Sequence, residues 1–514
     1  MSKTRLIGRN ISFLAINRAV SILISFLIFP FIIRHVGKEL YGVYVLVLAA
    51  TSYFGLLDLG VMSALTKYVS EYNGKRDGET VSRVLNASFT FYCIVGFLMG
   101  GLLFLCSPFF YNFFKIEGAD VAVMKQLFTI AALSALFIWP LNTFRGAVQG
   151  LNLWIVDATI NMLTQALIAV LTFILLKMGK NIVAVYFAMQ FVTILGGAAA
   201  YFITKKKIDL RISFPYFRAG TFKLIFSYSF FTFLGSMLGL VIFQVHNFII
   251  GYFLSMSAVT AYAVAYNIQS YFRSIDVTIG APPWTIASEM EGRGDIEGQK
   301  MLLFKGTKYM SAVFLPIILI MFFFVEPFIK YWMGQGFNDS VLPAKIIILF
   351  WLFNGTSEIA SGMLSAKGIV RKPLFIQIAV AASNIIIAVS LIKVVGIIAI
   401  ALGLTISMVL VGFPLVLRLA LRSLGVTPRE YFRRAIKDNI PLYLLVSLLS
   451  FAVSKYLYPN TIYLTIFEMG AIYLISLAAY YLFILKKDDK LDLARLVGLE
   501  VMYARFEPRL EQDG

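Results

Sequence analysis

Charged residues inside long apolar stretches are the side chains of this sequence best placed to do chemistry. Arg18 lies within the apolar stretch Asn10–Ile33, and Arg273 and Asp276 lie three residues apart in a later one. A charge at that depth in a bilayer costs roughly 3 kcal/mol or more, so an unpartnered side chain that faces lipid is not expected. A guanidinium stays protonated and matches a phosphate group with two parallel hydrogen bonds. The two arginines therefore predict either ion pairs inside the protein or contacts to an anionic ligand.

Each arginine has an acidic residue that could be its partner. Asp58 is predicted at a similar depth to Arg18 in the next apolar stretch, and Asp276 shares one helix face with Arg273. Two interpretations stay open for each pair: a structural ion pair, or an arginine that faces a central cavity and binds a diphosphate. We predict all four residues as candidate substrate-binding residues.

Further polar residues in apolar stretches extend the candidate site. Gln244, Asn247 and Gln269 offer hydrogen bonds that suit a sugar, although each such residue alone more often joins two helices. His246 is predicted as a polar residue of the cavity lining, with a proton switch as the alternative. Glu358 is the candidate for ion or proton coupling, with a structural hydrogen bond as the alternative.

Composition excludes most other classes of protein. Of 514 residues, 60% are hydrophobic and 14% charged, whereas soluble proteins carry about 25% charged residues. The mean hydropathy is +0.83, so we predict a multi-pass membrane protein. The net charge of +18 is attributed to membrane topology, not to nucleic acid. Two histidines and two distant cysteines are too few for a metal site, and no phosphate-binding glycine loop occurs, so no cofactor is expected.

Apolar windows predict an all-α chain with about 14 transmembrane helices, the first of them too long for a cleaved signal segment. The predicted spans are Asn10–Ile33, Tyr41–Leu65, Ser82–Cys106, Val121–Thr143, Leu153–Lys177, Ile182–Thr204, Leu224–Ile250, Ala258–Ile286, Tyr309–Trp332, Ala344–Ser365, Leu374–Val395, Gly396–Leu419, Ile440–Leu457 and Ile462–Leu485. The eighth is the weakest, because it contains Arg273, Asp276 and two prolines.

Lysine and arginine predict the orientation of these spans. With the N-terminus in the cytoplasm, about 33 of the 45 lysines and arginines fall in cytoplasmic segments. An even number of spans then returns the C-terminus to the cytoplasm. We expect a protein of the cell membrane with both termini inside.

A weak internal repeat predicts two lobes. Phe31–Ile33 recurs as Phe248–Ile250, and Ser52–Phe54 recurs as Ser270–Phe272, at offsets of 217 and 218 residues. An offset of six spans preserves orientation, as in transporters built from two parallel repeats. The predicted parts are an N-lobe (1–222, spans 1–6), a C-lobe (223–437, spans 7–12), two extra helices (438–485) and a cytoplasmic tail (486–514).

Several short motifs resemble the polysaccharide flippases of the multidrug/oligosaccharidyl-lipid/polysaccharide exporter superfamily. They are Gly37 with Tyr41–Tyr44, Leu57–Gly60, Pro327–Gly334 and the Gly396 to Gly403 pattern. The resemblance implies a flippase, not an enzyme, that carries a lipid-diphosphate-linked oligosaccharide to the outer leaflet by alternating access. It also implies that Arg18 and Arg273 line the cavity, since arginines on the first and eighth spans do so in the lipid II flippase.

The expected partners are the lipid bilayer, a polyprenyl-diphosphate-linked oligosaccharide such as an O-antigen or capsule unit, and potentially polysaccharide polymerases and glycosyltransferases. Three alternatives stay open. They are a cation-coupled multidrug exporter of the same fold, a membrane polysaccharide polymerase or ligase, and a scaffold subunit. The short outer loops count against the enzyme, and Arg18 counts against the drug exporter.

Overall fold

The computed structural model describes the backbone of residues 3–208, 219–485 and 490. It describes the side chains of residues 16–208, 233–235, 237–280, 283–485 and 490. No strand occurs in these parts of the chain, which confirms the all-α prediction. Almost all of the predicted tail lies outside the described residues.

Seventeen α-helices, α1 to α17, follow one another along the described chain. Short 3₁₀ turns or widened π turns interrupt several predicted spans. The helices are Lys3–Val36, Lys38–Phe54, Val61–Gly74, Gly78–Phe113, Ala119–Gly150, Trp154–Lys177, Ile182–Lys207, Ala219–Phe253, Met256–Gly292, Ile296–Met333, Val341–Ala366, Arg371–Val395, Ile398–Ile406, Phe413–Ser423, Pro428–Tyr431, Ile440–Ala452 and Ile462–Ala479.

The helices match the predicted spans. Among the described residues, 13 helical segments are long and apolar enough to cross a membrane. The predicted eighth span is not among the 13, yet it forms the continuous helix α9, Met256–Gly292. Its charged residues lower its hydropathy without breaking the helix. The structure is therefore that of a protein with about 14 transmembrane helices.

Contacts divide the chain into two compact units. Unit 1 comprises Met1–Ser274 and Val370–Ser407, and unit 2 comprises Ile275–Ile369 and Met408–Gly514. The predicted lobes, with boundaries after residues 222 and 437, stay a prediction.

Unit 1 is held together by contacts between long helices. Helix α4 packs on α5, α5 on α7, and α1 on α6, while α12 packs on α8 and α13. Phe144, Val148 and Ala200 form a buried apolar cluster between α5 and α7. This scaffold holds the helix break that forms the candidate site.

In unit 2, helix α10 is central and packs against α11, α16 and α17. One apolar cluster includes Leu303, Met363 and Leu421, and a second includes Phe324 and Leu442. Helix α10 is thus enclosed by protein along most of its length.

Glycines allow α4 to lie directly on the backbone of α5. A Cβ atom added to Gly96 would lie 2.8 Å from the carbonyl oxygen of Ala135, and one added to Gly100 would lie 2.8 Å from that of Ala132. Small residues four positions apart are a common means of close helix packing in membranes. The neighbouring Gly101 has no atom within 4 Å of its would-be Cβ.

This contact can be tested with two single-methyl substitutions. Gly100→Ala should lower the thermal unfolding midpoint in detergent, because its methyl group must displace the α5 backbone at a cost of about 1–3 kcal/mol. Gly101→Ala is the matched control and should leave the midpoint unchanged or slightly raised. Equal midpoints for the two variants would contradict the close approach of α4 and α5.

Candidate functional site

A cavity of about 680 Å³ opens in unit 1 where the second predicted span is broken. Its wall is formed by the break between α2 and α3, by α8 and by α9. Polar and apolar atoms both line it. The lining residues include Ser52, Asp58, Ser63, Phe243, Gln244, Tyr266 and Arg273.

The break follows from the local sequence Gly55–Gly60. Helix α2 ends at Phe54 and passes into a 3₁₀ turn, Gly55–Asp58. Leu59 (φ 49°) and Gly60 (φ 78°) then adopt left-handed backbone conformations, so the helix restarts as α3 at Val61. Gly60 suits this conformation, since glycine has no Cβ. In membrane proteins such broken helices occur where the backbone is buried in protein or lines a cavity.

Asp58 stabilises this break. Its Oδ1 accepts a hydrogen bond from the Tyr92 hydroxyl of α4, and its carboxyl also accepts from the backbone N–H groups of Gly60 and Met62. Tyr92 is fully buried and packs beside Trp139, with 5.9 Å between ring centroids. Asp58 therefore caps the first turn of α3 and is fixed from the side by a buried tyrosine.

Arg273 presents its guanidinium at the cavity. The side chain is exposed, and its guanidinium carbon lies 4.7 Å from the centre of the Phe243 ring. It also donates a hydrogen bond to the Tyr266 hydroxyl, two helical turns earlier on α9. No described acidic side chain of unit 1 forms an ion pair with it. The other N–H groups of Arg273 can donate hydrogen bonds to an anionic group.

The ion pair considered for Arg18 and Asp58 is not found among the described residues. The carboxyl of Asp58 is occupied by Tyr92 and two backbone amides instead. Arg18 is exposed on α1 and is not part of the described cavity wall. Its neighbour Asn17 is buried and donates a hydrogen bond of 2.6 Å to the carbonyl of Ala158 on α6.

The four predicted polar residues of α8 and α9 have different environments. Gln244 lines the cavity and accepts a hydrogen bond of 3.2 Å from the Asn247 amide. Gln269 is buried, and neither of its amide atoms has a hydrogen-bond partner within the described part of the chain.

His246 joins three helices. Its ring is fully buried. The Tyr262 hydroxyl lies 2.9 Å from Nδ1, and the side-chain amide of Asn384 on α12 lies at hydrogen-bond distance from Nε2, with its Nδ2 at 3.0 Å and its Oδ1 at 3.2 Å. These contacts join α8, α9 and α12, and the polar lining role of His246 stays a prediction.

In unit 2, two carboxyl groups lie on the contact between α9 and α11. Asp276 is 4% exposed, and its Oδ2 accepts a hydrogen bond of 3.2 Å from Asn354. Its Oδ1 is buried without a partner among the described residues. Glu358, one turn after Asn354, packs against Gly280, one turn after Asp276: a Cβ on Gly280 would lie 3.2 Å from Glu358 Oε1.

This arrangement assigns Asp276 a partner that the sequence prediction did not include. The i, i+3 spacing pointed to Arg273, whereas the hydrogen bond comes from Asn354 on another helix. The described residues contain no group of three side chains suited to a metal ion.

Tyr92, Phe243 and Tyr266 complete the site in unit 1, and the sequence prediction included none of them. Tyr266 could have been found, because residues seven apart lie on one face of a helix. Tyr92 and Phe243 contact residues on other helices, and no local pattern marks such contacts.

Comparison with known proteins agrees with this architecture. The family described as polysaccharide biosynthesis protein matches residues 7–281, and the MatE family matches residues 232–390. A curated relative, the putative O-antigen transporter of Shigella flexneri, is 22% identical over 357 residues, which cover 68% of this chain and 82% of the relative.

Solved structures of transporters share the fold. The inward closed conformation of the lipid II flippase MurJ superposes with a TM-score of 0.69 at 17% identity, over 92% of this chain and 98% of that one. An inward-facing MATE family multidrug resistance transporter of the MOP superfamily gives a TM-score of 0.67 at 16% identity, over 80% and 94% of the two chains.

The hydrogen bond between Tyr92 and Asp58 can be measured by a double-mutant cycle. Tyr92→Phe and Asp58→Asn should each lower the thermal unfolding midpoint, and the double variant should lose less than the sum. The expected coupling is about 1–3 kcal/mol, as for a hydrogen bond to a buried carboxyl. Tyr473→Phe, which removes a hydroxyl from an exposed hydrogen bond to Val313, is the control. Strictly additive losses would show that the two groups do not interact.

Proposed function

The chain belongs to the polysaccharide biosynthesis protein family, and we propose that it is a flippase for a lipid-diphosphate-linked oligosaccharide. The proposed cargo moves from the inner to the outer leaflet of the cell membrane for surface polysaccharide synthesis, as an O-antigen or capsule unit. The chain is a multi-pass membrane transporter with the fold of the multidrug/oligosaccharidyl-lipid/polysaccharide exporter superfamily.

One observation carries the proposal: the guanidinium of Arg273 at the wall of a large, partly polar cavity. A sugar headgroup and a diphosphate cannot cross hydrocarbon unaided, because polar and charged groups lose their hydration there. In a cavity of this kind, protein groups replace the water that hydrates the headgroup. Arg273 is oriented by Phe243 and Tyr266 and can bind a phosphate through two N–H groups.

The other proposed contacts to the cargo follow from the hydrogen-bonding groups of the side chains. Gln244 lines the same cavity and would bind a sugar hydroxyl, with Asn247 fixing its amide and Gln269 as a further candidate. Arg18 is retained as the proposed second phosphate-binding residue. Asp58 acts by shaping the cavity wall.

The direction of transport is proposed from the charge pattern. With both termini in the cytoplasm, a negatively charged cargo moving outward is favoured by an inside-negative membrane potential, by about 2.3 kcal/mol per charge per 100 mV. The two predicted lobes, 1–222 and 223–437, would open the cavity to each side in turn. Glu358, beside Asp276 and Asn354, is the proposed site for coupling to an ion or proton gradient. Polymerases and glycosyltransferases of the pathway are proposed partners.

A second candidate function is a cation-coupled multidrug exporter. The MatE match over residues 232–390 favours it. The cavity wall argues against it, because the exposed charge there is the cation Arg273, which would repel a cationic drug, whereas Asp58 is occupied by its hydrogen bonds.

The proposal predicts a graded loss of transport at Arg273. In cells that lack the wild-type gene, Arg273→Gln should reduce surface polysaccharide at least tenfold at normal protein level, since a charged hydrogen-bonded pair is worth about 1.5–3 kcal/mol. Arg273→Lys should retain part of the activity, because it keeps the charge but loses the planar fork. Lipid-linked precursor should accumulate inside.

A second cation packed on an aromatic ring provides the control. Lys393 lies 5.8 Å from the ring centre of Phe253 and is not part of the cavity wall, so Lys393→Gln should export normally. Normal polysaccharide export by Arg273→Gln would contradict the flippase proposal. So would a variant that loses drug resistance but keeps its surface polysaccharide.

A further inference from the structure

Unit 2 contains a second cavity, which differs in character from the first. It measures about 430 Å³ and its wall is almost entirely apolar. The wall is formed by α10, α11, α14 and the segment from α15 to α16, with Leu319, Phe353, Leu417, Phe432 and Tyr443 among its residues. Phe353 and Phe413 meet edge to face in this wall, 5.4 Å apart.

Two widened helical turns border this cavity. One π turn, Ser407–Gly412, directly precedes Phe413, and another, Phe432–Ile436, contributes both of its end residues to the wall. Interruptions of this kind inside helices often occur at functional sites.

Exposed arginines stand beside the wall residues. Arg418 follows Leu417, Arg429 follows Pro428, and Arg433 follows Phe432, so each Cα is about 3.8 Å from that of a wall residue. All three arginines are exposed, and none forms an ion pair with a described acidic side chain of unit 2. By contrast, Arg434 pairs with Glu430 over 3.4 Å.

We propose that this cavity binds an anionic phospholipid of the cytoplasmic leaflet. One acyl chain occupies the apolar cavity, and the phosphate is held by Arg418, Arg429 and Arg433. An apolar cavity without polar partners does not hold ordered water, and in a bilayer the available apolar occupant is a lipid chain. The arginines match a phosphate, and the charge pattern predicts this end of the helices to lie at the anionic cytoplasmic surface.

The proposal is independent of the transported cargo, because it involves neither Arg273 nor the cavity of unit 1. The positive-inside pattern alone indicates only that the arginine-rich segment 418–433 lies on the cytoplasmic side. The proposal adds a specific ligand for this segment.

Native mass spectrometry of the full-length protein in neutral detergent tests the proposal. Phosphatidylglycerol should bind at one saturable site, and phosphatidylcholine with the same chains should bind more weakly. Arg429→Gln/Arg433→Gln should weaken phosphatidylglycerol binding about fivefold per arginine at low salt. The control Arg371→Gln/Lys372→Gln removes two exposed charges outside the cavity wall and should bind as wild type.

The acyl chain is tested separately from the phosphate. Leu417→Trp should fill the cavity and reduce binding. Dihexanoyl phosphatidylglycerol should bind wild-type protein much more weakly than the long-chain lipid, a comparison that needs no variant. Equal binding of the two head groups, or of the two chain lengths, would overturn the proposal. Displacement of phosphatidylglycerol by inorganic phosphate alone would also overturn it. Displacement by undecaprenyl phosphate would do so too, because it would assign the cavity to the lipid chain of the cargo.

Discussion

A charged side chain within a bilayer must find partners inside the protein, because its hydration is lost and hydrocarbon offers nothing in return. Three charged residues within the predicted spans reflect that constraint. Asp58 is bound by a tyrosine and two amides, and Asp276 by an asparagine. Arg273 lies on an aromatic ring at the edge of a cavity. Asp58 lies at the helix break and, with Arg273, in the cavity wall of unit 1.

The same constraint connects the fold with the function. A continuous second span would bury the backbone of residues 55–60 in regular helix and leave no opening beside α8 and α9. The turn at Leu59 and Gly60 creates that opening, and Asp58 stabilises the turn. Arg273 then has space for a ligand of headgroup size. The buried contact of His246 with Tyr262 and Asn384 fixes the relation of α8, α9 and α12 around this wall.

Hydropathy was sufficient to predict the helices, since the membrane permits few alternatives. It also singled out Arg273, because an arginine in an apolar stretch needs an explanation. Sequence could not provide the partners. Tyr92 is 34 residues from Asp58 and Asn354 is 78 from Asp276, and no local periodicity records such contacts. For the same reason His246 was predicted as a lining residue, although helix packing places it among Tyr262 and Asn384. The i, i+3 spacing of Arg273 and Asp276 suggested a pair, but it could not reveal the hydrogen bond that Asp276 accepts from Asn354 on α11.

Reconstituted transport tests most directly the claim that the cavity at Arg273 carries a diphosphate-linked saccharide. The purified protein would be placed in liposomes that contain a lipid-diphosphate-linked oligosaccharide, with an impermeant glycosidase added outside. Wild-type protein should make the entire substrate pool accessible to the glycosidase, whereas Arg273→Gln liposomes should expose only the outer leaflet. The account would be contradicted if the glycosidase reached the same fraction of substrate with wild-type protein and with Arg273→Gln. It would also be contradicted if neither protein exposed the inner pool while wild-type protein transported a cationic drug.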